Sequence, residues 1–105
     1  MKISVVGLGY VGLPLAIQFA RAKLHVLGID IDPTKVDSIN QGRSYIRHIA
    51  PITIVEMVKE KRLYASTDFA RVKGVDAVVI CVPTPLNKVM WELIKGLEHS
   101  WKDPD

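Results

Sequence analysis

The sequence predicts an α/β fold, a doubly wound parallel sheet of about four strands in the order 3-2-1-4, with helices on its faces. Three observations predict it. Short β-branched or apolar runs alternate with segments of helical spacing, glycines punctuate the first strand-to-helix junction, and Asp76 to Val82 is the nearly continuous apolar run of a strand buried on both faces. Parallel neighbours need crossover connections, which are almost always right-handed, and that restricts the order. At 105 residues, 49% hydrophobic and 24% charged, the chain has material for one small core, and neither disorder nor a fibrous architecture fits.

The elements follow in order. Lys2 to Val6 is apolar or β-branched and stops at glycine, as a buried strand does. Tyr10 to Ala22 is a helix carrying Val11, Leu15, Ile17, Phe19 and Ala22 among small residues, with Pro14 tolerated in the first turn, where N–H groups lack helical partners. Leu24 to Asp30 is the second strand. Asp32 followed by Pro33 starts a second helix, by carboxylate capping and a proline at the first helical position, and Gly42 stops it. Ser44 to Ala50 has no clear period. Pro51 opens a helix through Arg62, with Ile52, Val55 and Val58 at helical spacing. Tyr64 and Ala65 belong to a third strand, Thr67 and Asp68 cap a brief helix to about Lys73, and Asp76 to Val82 is the fourth strand.

The formal net charge is +3, with Lys and Arg spread from Lys2 to Lys102, so a nucleic-acid footprint is not expected. Cys81 is the only cysteine, which rules out an intramolecular disulfide and a paired-cysteine metal site and fits a reducing, cytoplasmic setting. His25, His48 and His99 have no metal-ligand spacing and read as surface or strand-end residues. The N-terminal apolar run lacks the length and flanks of a signal peptide or membrane span, so a soluble protein with no membrane partner is expected.

Gly7, Gly9 and Gly12 form G-x-G-x-x-G where the first strand becomes the first helix. In that context the first glycine permits the tight turn, the second lets backbone approach a pyrophosphate, and the third lets helix and sheet pack closely, with the helix N-terminus facing the phosphates. Asp30, at the end of the second strand, can accept hydrogen bonds from the adenosine ribose hydroxyls, and its charge favours NAD over NADP, since Ile31 and Asp32 follow rather than an arginine. This is the Rossmann-type arrangement. Lys35 could reach toward a phosphate or simply be solvated.

Val5-Val6-Gly7-Leu8-Gly9-Tyr10-Val11-Gly12-Leu13-Pro14-Leu15-Ala16, Gly28-Ile29-Asp30-Ile31-Asp32, Lys35-Val36, Gly42-Arg43-Ser44-Tyr45-Ile46 and Ile80-Cys81-Val82-Pro83-Thr84-Pro85-Leu86-Asn87 together resemble the UDP-glucose/GDP-mannose dehydrogenases, the nucleotide-sugar dehydrogenase family. The version here is most similar to members acting on UDP-N-acetylhexosamines such as UDP-N-acetylmannosamine. The resemblance implies a role in oxidising a sugar C6 alcohol to a carboxylate with NAD. It further implies Tyr10 and Val11 beside the pyrophosphate, Asp30 on the ribose, Lys35 near the adenosine end and Thr84 in a loop along the cofactor. Pro83-Thr84-Pro85 can equally be a rigid loop that ends a strand.

The resemblance covers residues 1–88, the NAD-binding half-domain; residues 89–105 diverge into a tail that reads as a short helix with Trp91, Leu93, Ile94 and Leu97 on one face, or as a frameshifted end. The family's nucleophilic cysteine, lysine and sugar-binding residues match nothing in this chain, and Cys81 lies in an apolar strand with no base nearby in sequence, so no catalytic residue and no activity of the chain alone are expected. Two alternatives stand beside this reading: a self-contained module that holds or senses NAD, or a remnant that folds without function. A hydroxyacid or 6-phosphogluconate type of dehydrogenase would share the first half but not the Gly-Tyr-Val-Gly and Pro-Thr-Pro pairing. A sheet cut at the fourth strand leaves an edge, from which a homodimer is expected.

Overall fold

A computed structural model describes residues 1–81. The elements run β1 (Lys2–Val6), α1 (Gly12–Arg21), β2 (His25–Ile29), α2 (Pro33–Asn40), α3 (Pro51–Lys59), β3 (Leu63–Ser66), a 3-10 segment (Phe69–Gly74) and β4 (Ala77–Ile80). The four strands pair in parallel in the order β3-β2-β1-β4, as the alternation predicts. All carboxyl ends therefore lie on one edge of the sheet. Both the turn after β1 and the residues after β2 open there, which is where sheets of this class bind ligands.

The core joins β1 and β2 to the contact faces of three helices. Gly12, Leu13, Ala16, Ile17 and Ala20 form the buried face of α1, so small residues bring the helix close to the strands. Leu15 and Phe19 are only partly buried, and Val11 and Ala22 lie outside on the exposed side. In α3 the buried residues are Ile54 and Met57, whereas Ile52 and Val55, expected on the inner face, are exposed. That helix carries apolar residues on two faces, and only its docking selects between them. β4 is also less buried than its apolar run suggests, because it is the last strand of the described sheet, with Ala77, Val78 and Val79 intermediate and Ile80 exposed.

Three helix ends close alike. After α2, Gly42 takes a positive φ of 75°, its N–H donates to Ile39 C=O, and the Arg43 N–H reaches back to Ser38 C=O, so the glycine stop falls where the sequence put it. The same bond pair closes α1 at Lys23 and α3 at Lys61, which hold positive φ of 68° and 60° without being glycine.

The outer edge of β3 is met by a side chain. Asn40, the last residue of α2, donates from Nδ2 to the Ala65 carbonyl (2.8 Å) and accepts from the Ala65 N–H at Oδ1 (2.9 Å). One amide side chain thus takes the place of a neighbouring strand's backbone.

Candidate functional site

The turn from β1 to α1 is built around Leu8. Gly7 holds a φ of 96°, and its N–H donates to Ile29 C=O at 2.7 Å, which extends the pairing with β2 by one residue. Leu8 then turns inward and is fully buried. Its side chain lies on Gly28 of β2, where a Cβ would meet a Leu8 methyl at 2.9 Å. Its N–H donates to Asp30 Oδ2 at 2.8 Å, and its carbonyl accepts from the Tyr45 hydroxyl. Every group of Leu8 that can be satisfied is satisfied, which fixes the turn without a ligand.

The three glycines differ in what surrounds them. A Cβ at Gly12 would lie 1.6 Å from the Gly7 carbonyl oxygen and 3.3 Å from Cys81 Cβ, so this position carries the helix-to-turn contact. A Cβ at Gly9 would meet nothing within 4 Å. Among the described residues nothing occupies the space a side chain would take there. Beyond Gly9, α1 follows Val11, an N-cap residue that supplies no side-chain acceptor, and no acid stands in its first turn, so the positive end of the helix has no carboxylate of its own first turn beside it.

Asp30 is buried at the carboxyl end of β2, and both of its oxygens are engaged: Oδ2 with the Leu8 N–H and Oδ1 with the Asp32 N–H at 2.9 Å. A carboxylate offers about four acceptor positions, so two remain for hydroxyls. Asp32 caps α2, accepting from the Thr34 N–H at 2.9 Å and from the Thr34 hydroxyl at 2.5 Å. The two Thr34 bonds, the side-chain one first, lower its carboxyl from the ordinary value against an opposing desolvation, with a lesser contribution from the Lys35 charge.

Gly9, Tyr10, Asp32, Thr34, Lys35, Ser38, Tyr45 and Ile46 line an open cleft of about 290 Å³. Tyr10, 78% exposed, stands at one side, and the Lys35 ammonium lies 6.0 Å from the centroid of the Tyr45 ring at the other. Burial, reinforced by the charges of Asp30 and Asp32, pushes the Tyr45 phenol above its ordinary range. Of the residues expected at the site, Gly9, Tyr10 and Lys35 line the cleft, Gly7, Gly12 and Asp30 do not line it but build the turn beside it, and Val11 is exposed at the start of α1. Thr84 lies outside the described residues. Sequence reasoning gives no site role to Asp32, Thr34, Ser38, Tyr45 or Ile46: it reads Asp32 as a helix cap, and Tyr45 and Ile46 only as part of the Gly42–Ile46 motif, which is the available signal for them. Cys81 is partly buried against the core beneath Gly12, with its N–H on Val6 C=O.

The model of the UDP-glucose/GDP-mannose dehydrogenase family, NAD binding domain, matches residues 1–98. A UDP-N-acetyl-D-mannosamine dehydrogenase of Campylobacter jejuni is 40% identical over 84 residues, which is 80% of this chain and 20% of that one. Among solved structures, a UDP-D-ManNAc dehydrogenase from Pyrococcus horikoshii superposes with a TM-score of 0.80 at 31% identity over 94% of this chain and 25% of that one. A ternary complex of GDP-mannose dehydrogenase from Pseudomonas aeruginosa gives 0.77 at 34% identity, over 92% of this chain and 23% of that one. The chain spans about 20% of the length of the Campylobacter relative.

Proposed function

The chain belongs to the UDP-glucose/GDP-mannose dehydrogenase family, within its NAD-binding domain, and on that premise we propose that the cleft between the glycine turn and α2 holds the adenosine and pyrophosphate portion of NAD. In this reading Gly9 gives the pyrophosphate room to approach the backbone, and Tyr10, Val11 and Gly12 present the N-terminus of α1 to it. Gly7 shapes the turn. Asp30 receives the ribose hydroxyls on its two remaining acceptor positions, Lys35 stands at the adenosine end, and Thr84 follows β4 along the cofactor. The observation that carries the reading is Gly9, whose missing Cβ faces open space among the described residues.

Bound there, NAD supplies the hydride acceptor for oxidation of a sugar nucleotide's C6 alcohol, with UDP-N-acetylhexosamines as the substrate class. The chain's own part is to bind and orient. In this reading the cleft's side chains, Tyr10, Asp32, Thr34, Lys35, Ser38, Tyr45 and Ile46, position the cofactor. A module that holds NAD without sugar chemistry would use the same cleft. Cytoplasmic location is part of the proposal; among the described residues no helix is long and apolar enough to cross a membrane.

Calorimetric titration of the chain with NAD, NADP and an Asp30→Ala variant tests the site. Saturable NAD binding that weakens in the variant is expected, and equal NAD affinity in variant and parent would remove Asp30 from the site. We also propose that two copies pair through β4. The Asn40 bridge on β3 leaves β4 as the strand edge without such a device among the described residues. A monomer by size-exclusion chromatography across a concentration series would overturn this.

A further inference from the structure

We propose that Asp32 is the residue that excludes a 2′-phosphate from this cleft, by standing as a built-in anion where that phosphate would bind. The inference rests on the reading of the cleft as an adenosine site. The Asp32 N–H is on Asp30 Oδ1 at 2.9 Å, so a ribose held by Asp30 has Asp32 beside it. Beyond it lies the start of α2, which holds the donors a phosphate requires: the Thr34 N–H, the Thr34 hydroxyl and the Lys35 ammonium, with the Ser38 hydroxyl on the same wall.

The two Thr34 donors are spoken for. Asp32 Oδ1 takes both bonds, while the Lys35 ammonium lies 6.0 Å from the centroid of the Tyr45 ring on the same cleft wall. An incoming 2′-phosphate would meet a fixed negative charge and find the Thr34 donors occupied, so the exclusion is electrostatic and stoichiometric at once. A ribose hydroxyl meets neither obstacle.

Asp30 has a different part in selectivity. It is buried, with Oδ2 tying the glycine turn to β2 and Oδ1 holding the Asp32 N–H, so removing it disturbs the frame of the site. The Asp32 side chain is bonded only at the start of α2, and a serine there keeps the cap on the Thr34 N–H while it removes the charge and frees the Thr34 hydroxyl. Cofactor preference can therefore be altered at Asp32 while the turn stays intact.

The test uses 5′-AMP and adenosine 2′,5′-bisphosphate, which differ only by the phosphate in question, titrated calorimetrically into the chain and into Asp32→Ser, Asp32→Asn, Asp32→Ser/Lys35→Ala and Glu56→Gln. The ratio of the two dissociation constants is expected to move toward the bisphosphate by about tenfold or more in Asp32→Ser. Asp32→Asn, which keeps the shape and loses the charge, moves it part of the way. Adding Lys35→Ala removes the gain, and Glu56→Gln, which deletes a charge on the exposed face of α3, leaves the ratio at its parent value. An unchanged ratio in a folded Asp32→Ser chain that still binds 5′-AMP overturns this proposal alone. Failure of the parent chain to bind 5′-AMP overturns the adenosine reading of the cleft, and this proposal with it.

Discussion

Leu8 and Asp30 are joined across 22 residues of sequence by a hydrogen bond of 2.8 Å from the Leu8 amide to a buried carboxylate oxygen. The bond ties the glycine turn to the end of β2, so the acid proposed to hold the ribose also shapes the loop proposed to receive the phosphates. Asp30→Ala removes the acceptor of two backbone amides. It is expected to lower unfolding stability by about 1–3 kcal/mol, because buried donors are left unpaired, and a denaturant titration of the ligand-free chain measures this. Loss of ligand affinity with no loss of stability would contradict the tie.

Gly9 and Gly12 separate ligand binding from folding. Gly9→Ala should leave unfolding stability within about 0.5 kcal/mol of the parent, since the new methyl meets no atom of the described residues within 4 Å, yet it should lose most of the NAD affinity. Gly12→Ala should destabilise by about 3 kcal/mol or more, because its Cβ would sit 1.6 Å from the Gly7 carbonyl oxygen. Thermal melts with and without NAD distinguish the two, and a Gly9→Ala chain that binds NAD like the parent would count against the phosphate reading.

Tyr45 donates to the Leu8 carbonyl from a partly buried position. Tyr45→Phe leaves that carbonyl without its partner and is expected to cost about 1 kcal/mol near neutral pH. The phenol titrates above its ordinary value in the fold, so the folded chain holds its proton where the unfolded chain releases it. Its contribution is complete below the ordinary pKa of 10.0 and is lost as pH rises beyond it. The stability difference between parent and Tyr45→Phe should therefore shrink from pH 9 to 11.5, as read from denaturant midpoints, whereas a constant gap would show that the phenol ionises as freely folded as unfolded.

Lys23 and Lys61 occupy the left-handed position that ends α1 and α3, a backbone conformation costing about 1–2 kcal/mol for a residue with a Cβ. Replacing either with glycine should raise stability by a few tenths to about 1 kcal/mol, the relief of strain being partly offset by the greater freedom of glycine when unfolded. A lower melting temperature in both variants would mean that the lysine stems contribute packing that outweighs the strain.

Much of this molecule was legible in its residues. Strand order, the Asp32-Pro33 helix start, the Gly42 stop and the glycine turn after β1 all follow from local chemistry, because turn geometry, capping and the two periodicities are set within a few residues. The family was legible for the same reason, being carried by contiguous motifs. Contacts between distant segments were not. Nothing near Asn40 announces that its amide will cover the edge of β3, and nothing near Tyr45 announces that its hydroxyl will hold Leu8, since each partner lies tens of residues away and is brought close only when α2 and the following loop dock.

The face that α3 buries was undetermined for a related reason. With apolar residues at Ile52, Ile54, Val55, Met57 and Val58, its sequence permits more than one inward stripe, and packing against α1, α2 and β3 selects Ile54 and Met57. The sequence by itself determined where backbone must turn, start and stop, because those requirements are local. The tertiary structure alone decided which side chains complete the cleft, how Asp30 and Asp32 divide their bonds, and why Gly9 is open while Gly12 is closed, because each depends on what another part of the chain places beside it.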